Sequence, residues 1–141
     1  MKPSLLDDFC RIYQSLDKHN LALLKDIYSE DVVFIDAMHQ VSGINSLTGY
    51  FEHLYENIDY CNFHIHQLIE KEGQACVIWK MDYAHPKLNG GKCISVDGAS
   101  HLQFSDKIDK HRDYLDLGQM LYEHLPLLGS VIKTIKKRAS Q

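Results

Sequence analysis

The sequence predicts an α+β domain: a cone-shaped, curved antiparallel sheet with three N-terminal helices packed on its concave face, and a helical tail at the C-terminus. Three observations carry this. Apolar residues recur at helical spacing from Leu5 and again from Ile44 to Ile58. A single short apolar run, Val32 to Ile35, interrupts the helical part, and from Tyr60 onward the period changes to two. Helices followed by a run of long strands indicate an α+β fold. A curved sheet under helices leaves a cavity, a natural place for a small ligand.

Each element follows from local chemistry. Ser4, with Asp7 three residues on, reads as a capping box. Leu5, Leu6, Phe9, Ile12, Tyr13 and Leu16 then form one apolar helical face, which Asp17-Lys18-His19-Asn20 ends. A short second helix runs through Leu21, Leu24 and Tyr28, and Val32 to Ile35, β-branched and aromatic, is the first strand. Ser42-Gly43 opens the third helix, with Ile44, Leu47, Phe51, Leu54, Tyr55 and Ile58 on its buried stripe. From Tyr60 to Ile69, Phe63 and Ile65 share one face, and His64 and His66 the other. Glu72-Gly73 turns the chain into a strand from Ala75 to Ala84. Pro86 to Lys92, holding Asn89-Gly90-Gly91, makes a wide hairpin, and Cys93 to Phe104 and Lys107 to Asp116 form the last pair. In the tail, Gln119 to Leu125 is helical until Pro126 breaks it. Leu128, Val131, Ile132 and Ile135 make a second stripe, beside Lys133, Lys136, Lys137 and Arg138. The expected division is a domain over 1–118 and a basic helical tail over 119–141 that packs on it or lids its pocket. A partner-binding or membrane-surface helix is the alternative.

Composition narrows the function classes. A chain of 141 residues is one domain by length, with 45% hydrophobic and 24% charged residues, as in ordinary globular proteins. A net charge of −4 argues against a nucleic-acid binder. No apolar run approaches the roughly 20 residues of a membrane span, so stable membrane insertion is not expected. Asp7 and Asp8 interrupt any signal-peptide core, which makes the cytoplasm the expected location. Cys10, Cys61, Cys76 and Cys93 are widely spaced and read as buried free thiols. His64 and His66 lack a third ligand at recognisable spacing, so no metal and no cofactor are expected.

The candidate site begins at Asp36, a carboxylate delivered at the far end of an apolar strand. It is either a turn cap or a general base in a pocket. His111 and Asp113 lie two apart on a strand and so share a face with Leu115. Val77, Trp79 and Met81 alternate along another strand and would line a cavity with Phe51, Leu54 and Leu115. His39, in the turn after Asp36, would line the entrance, whereas His101 would face the other side of the sheet.

The order of elements resembles the nuclear transport factor 2-like superfamily, which includes ketosteroid isomerases and SnoaL-like polyketide cyclases. The resemblance covers about residues 5 to 117. It rests on Tyr28-Ser29-Glu30-Asp31, on Val32 to Gly43, and on the closing Gly98 to Phe104 with Lys107 to Asp116. It implies that Asp36 moves a proton at a carbon next to a carbonyl, and that His111 and Asp113 face the cavity as an acid–base pair. Tyr28 and Tyr55 fall where supporting tyrosines sit. Ser100 stands where the isomerases carry a protonated acid, and Ile12 where they carry a tyrosine, with Tyr13 one residue away. A true ketosteroid isomerase is therefore not expected. The superfamily also implies a homodimer through the outer sheet face.

The leading expectation is a cofactor-independent isomerase or cyclase, acting on a small apolar or aromatic molecule with a carbonyl or hydroxyl. Asp36 would be its base. A non-catalytic ligand-binding or regulatory domain and a dimeric protein-interaction module are the alternatives, because this fold hosts all three.

Overall fold

The computed structural model describes residues 4–141; the domain's expected start at residue 1 and the stretch Met1–Pro3 lie outside them. Helix α1 spans Leu5–Ser15, and Ser4 and Asp7 form the reciprocal capping box that starts it. Its buried residues Leu6, Phe9, Ile12 and Tyr13 face the sheet. The segment read as a second helix is a 3₁₀ turn, Leu21–Asp26. Tyr28 already belongs to strand β1, Tyr28–Ile35, so the strand starts four residues before the apolar run. Leu21, Leu24 and Tyr28 have helical spacing and all are buried, but Tyr28 reaches the core from a strand.

β1 turns through Asp36–His39 into a three-residue strand β2, Gln40–Ser42, which the sequence reading left as a turn. Three residues are too few for alternation to register. Gly43 follows with φ +91°, a conformation open to glycine, and its N–H donates to the Val32 carbonyl. Helix α2, Ile44–Asn57, then packs Leu47 and Phe51 into the core.

Four long strands complete the sheet: β3 (Tyr60–Lys71), β4 (Gln74–Ala84), β5 (Ile94–Phe104) and β6 (Ile108–Leu115). The strand order is β2-β1-β6-β5-β4-β3. All neighbours are antiparallel except β1 and β6, which run parallel and set Phe34 beside His111. In β3 the alternation slips: Ile65 pairs with Trp79 and Gln67 with Ile78, leaving His66 as an extra residue. Phe63 and Ile65 are half-buried before the bulge, and Leu68 is half-buried after it.

Gly98 lies across from Trp79 in the β4–β5 ladder, and a Cβ there would overlap the indole ring. The glycine therefore lets the ring lie flat against β5. Of the four thiols, Cys61 alone is fully buried, whereas Cys93 is exposed and Cys10 and Cys76 are half-buried. The expectation of buried thiols thus fits one of the four.

After β6 the chain folds over the open end of the sheet as a four-residue helix α3, Leu117–Met120, capped by Asp116. The last helix α4, Leu128–Ala139, meets the 3₁₀ turn Tyr122–His124. Gly129 abuts the Glu123 carbonyl, and Lys136 pairs with the Glu123 carboxylate at 3.2 Å. Leu128, Val131 and Ile135 remain exposed. No helix among the described residues is long and apolar enough to cross a membrane.

Candidate functional site

Between α1, α2, the inner face of the sheet and α3 lies a cavity of about 510 Å³. Its walls are aromatic and aliphatic: Phe34, Phe51, Phe63, Trp79, Met81 and Leu115 among them. Exposed Met38 and His39 lie at its rim, and Met120 and Leu121 of the tail contribute the opposite edge. The Tyr83 hydroxyl donates to the Met120 carbonyl and holds that edge down. Among the described residues, two carboxylates, Asp36 and Asp113, line the cavity, and no Lys or Arg does.

Asp36 sits one residue past β1, where the chain leaves the sheet. Its Oδ1 accepts the backbone N–H groups of Met38 at 2.9 Å and His39 at 2.7 Å. The His39 ring approaches the same oxygen at 3.3 Å, and the Tyr50 hydroxyl donates to Oδ2. Asp36 is thus a turn cap and a cavity-lining carboxylate together, with its side chain 11% exposed. Burial and this carboxylate push the Tyr50 hydroxyl well above the ordinary phenol value, so Tyr50 stays a donor.

His111 is 1% exposed and joins a chain of polar groups that crosses the core. Its Nδ1 meets the Tyr28 hydroxyl at 2.6 Å, and Tyr28 shares a 2.5 Å hydrogen bond with Tyr13. On the other side, Nε2 lies 2.6 Å from Asp113 Oδ1. Ser100 donates to that same oxygen at 2.5 Å and accepts the Trp79 indole N–H at 2.9 Å. Every buried member is therefore partnered, as a polar group in an apolar core requires. Both ends of the chain, Tyr13 and Asp113, reach the cavity wall. Burial pushes the Tyr13 and Tyr28 hydroxyls far above the ordinary phenol value, with the Asp113 charge adding to it, so both stay protonated.

The sequence profile of the SnoaL-like domain matches residues 9–111. The chain belongs to the SnoaL-like domain family. No curated protein matches it in sequence. Among solved structures, a protein with a ketosteroid isomerase-like fold from Catenulispora acidiphila, in complex with trimethylamine, superposes with TM-score 0.72 at 14% identity, covering 86% of this chain and 92% of that one. An NTF2-like protein of unknown function from Burkholderia pseudomallei gives 0.74 at 12% identity, covering 85% and 96%. A candidate SnoaL-like polyketide cyclase from Shewanella putrefaciens gives 0.70 at 16% identity, covering 85% and 95%. At these identities the likeness is one of fold.

Within this SnoaL-like domain the residues singled out from the sequence separate into groups. His111 and Asp113 are in direct contact, but only Asp113 lines the cavity: His111, expected to face it, is buried in the core behind, and Asp36 lines the cavity with its own partners and no hydrogen bond to the pair. Phe51, Leu54, Tyr55, Trp79, Met81, Leu115 and His39 line the cavity, and the Tyr55 hydroxyl donates to the Leu16 carbonyl rather than to another tyrosine. Val77 does not reach the cavity: it is fully buried beneath it in the core. Ser100 is likewise set behind Trp79, at a small internal void, where it orients Asp113 instead of facing a ligand. His101 bonds to Gln74 away from the cavity, and His64 pairs with Asp82.

The sequence reading missed Tyr13 as a wall residue and Tyr50 as the partner of Asp36. Tyr13 sits on an apolar helical stripe, where a tyrosine reads as core, and Tyr50 lies beside one; only a hydroxyl's need for a partner marks them out. Among the described residues no three His, Cys, Asp or Glu side chains gather as a metal site.

Proposed function

We propose that this SnoaL-like domain is an isomerase- or cyclase-type enzyme that moves a proton at a carbon next to a carbonyl of a small apolar substrate. One observation carries the reading: an apolar, aromatic cavity on whose wall a carboxylate and a hydroxyl-terminated polar chain both open. Asp36 is the base. Its Oδ2 holds one hydrogen bond, from Tyr50, and keeps a lone pair for a substrate proton. Tyr13 is the donor toward the carbonyl oxygen, which becomes more negative as the proton leaves. His111 with Asp113 is the polarising pair behind it. None of these roles calls on a cofactor. A homodimer through the outer sheet face accompanies this reading, and a sedimentation measurement tests it.

The test needs no knowledge of the natural substrate. 2-Indanone carries exchangeable hydrogens beside its carbonyl, and in D₂O the protein should accelerate their replacement by deuterium, read by mass spectrometry. Asp36→Asn keeps the turn-capping oxygen and removes the base, so the acceleration should disappear. Equal exchange in the variant would refute the assignment.

A second reading has its own support. The Asp36 carboxylate takes two backbone N–H groups and a tyrosine hydroxyl, the partners of a structural cap. In this reading the cavity binds without reacting. Aromatic walls, two carboxylates and no Lys or Arg suit a small amine, the kind of ligand held by the similar Catenulispora acidiphila protein. Binding of trimethylamine that survives Asp36→Asn, together with no deuterium exchange in any ketone, would favour it.

A further inference from the structure

The chain Tyr13–Tyr28–His111–Asp113 has two ways to arrange its hydrogens that leave no buried Tyr28 hydrogen unpartnered. Nε2 of His111 faces a carboxylate oxygen at 2.6 Å that already accepts Ser100, so a proton must lie between them. With no further proton on the pair, Nδ1 is a bare acceptor and Tyr28 must donate to it. Tyr28 then has no hydrogen left for Tyr13, so Tyr13 must donate to Tyr28. The Tyr13 oxygen meets the cavity as an acceptor only. When the pair takes one more proton, Nδ1–H donates to Tyr28, Tyr28 donates to Tyr13, and the Tyr13 hydrogen is released toward the cavity. A third arrangement, with the Tyr28 oxygen accepting from both neighbours, would leave the Tyr28 hydrogen without an acceptor in the core, where the residue is 2% exposed.

We propose that the buried His111–Asp113 pair sets whether Tyr13 offers the cavity a donor or an acceptor, so that binding a carbonyl oxygen is coupled to uptake of one solvent proton by that pair. His111 and Asp113 are positioning residues in this scheme, and Tyr13 is the group that touches the ligand. The proposal rests on the cavity taking a carbonyl compound, as argued above. The titratable groups that meet His111 are few: Asp113 on its own strand, Tyr28 from β1 and Tyr13 from α1. Ser100 from β5 and the rings of Phe9 and Phe34 complete its surroundings. The tyrosines keep their protons, so the protonation state of the pair decides the polarity of the whole chain.

Fluorenone tests this directly, because it has a ketone acceptor, no donor and no exchangeable hydrogen beside the carbonyl. Trp79 is the sole tryptophan and lines the cavity, so its fluorescence reports binding. The fluorenone Kd should be flat at low pH and then rise about tenfold per pH unit once the free pair has lost its proton. Fluorene, the same hydrocarbon without oxygen, should show no such slope. Tyr28→Phe cuts Tyr13 from His111 and should flatten the fluorenone profile. His111→Gln, with an amide that cannot take the extra proton, should do the same and guards against one variant failing to fold. A flat profile in the unaltered protein, or a slope that survives Tyr28→Phe, would overturn the proposal. Asp36→Asn should keep the slope while losing deuterium exchange. A slope without any exchange would sink the enzyme reading alone, and no fluorenone binding would sink both.

Discussion

Tyr28→Phe is the sharpest test of the polar chain, because it deletes one oxygen and nothing else. That oxygen makes two hydrogen bonds, at 2.5 and 2.6 Å, from a side chain that is 2% exposed. Its loss leaves His111 Nδ1 without a partner at a site 1% exposed, which costs about 1–3 kcal/mol. Tyr13 also loses its bond, a neutral hydrogen bond whose loss costs about 1 kcal/mol. The expected destabilisation is therefore about 2–4 kcal/mol. Tyr13→Phe removes one bond and leaves His111 satisfied by Tyr28, so it should cost about 0.5–1.5 kcal/mol. Urea unfolding followed by circular dichroism reads both; at a slope of about 2 kcal/mol/M, Tyr28→Phe should lower the midpoint by about 1–2 M. The ordering is the point. If Tyr13→Phe costs as much as Tyr28→Phe, or Tyr28→Phe costs under about 0.5 kcal/mol, the chain is not a connected unit and the argument from hydrogen polarity fails with it.

Gly98→Ala should destabilise by about 1–3 kcal/mol, because the new methyl overlaps the Trp79 ring and forces it off Ser100; a blue or red shift of the Trp79 emission is the companion readout, and an unchanged spectrum with unchanged stability would refute the close packing. Burial raises the Cys61 thiol from 9.0 to about 12, so above about pH 9 the unfolded chain releases a proton that the folded chain keeps, and stability falls as pH rises toward 12. Cys61→Ala should therefore flatten the alkaline loss by up to about 1.4 kcal/mol per pH unit in that window, and an identical slope in the variant would show that the thiol contributes nothing. Asp36→Asn should abolish deuterium exchange of 2-indanone while changing the unfolding free energy by no more than about 1 kcal/mol, since the amide oxygen still caps the turn.

The fold was legible wherever one face of an element is buried and the other wet. α1 shows its stripe and its capping box in the bare sequence, and α2 shows its stripe behind Gly43. The long strands show period two. The failures have physical causes. Tyr28–Asp31 contains two exposed acids, and Leu24 and Tyr28 happen to be four apart, so a strand entrance mimics a helix end. The bulge at His66 shifts alternation by one residue, which pairing with β4 decides and local sequence does not. At the site, Asp36 stood out as a charge at the end of an apolar strand, and His111 and Asp113 as a pair sharing one strand face. Tyr28 stood out only through the family resemblance, and Tyr50 did not stand out, since an aromatic residue beside a buried stripe reads as bulk. Ser100 was legible as a position and not as an action, because its bonds to Trp79 and Asp113 depend on the register of β5 with its two neighbours.

The parallel contact of β1 with β6 also bears on how the protein comes into being. Tyr28 and His111 are 83 positions apart in the chain, and everything between them must be laid down before they meet. The β3–β4–β5 meander closes through local turns and can assemble early, whereas the β1–β6 seam closes a loop that embraces most of the polypeptide. The proton-bearing centre is therefore a late product of folding. A chain that lacks β1 or β6 should still make hairpins, yet hold no imidazole between a carboxylate and a phenol. The seam makes that buried contact a certificate that both of its strands have arrived.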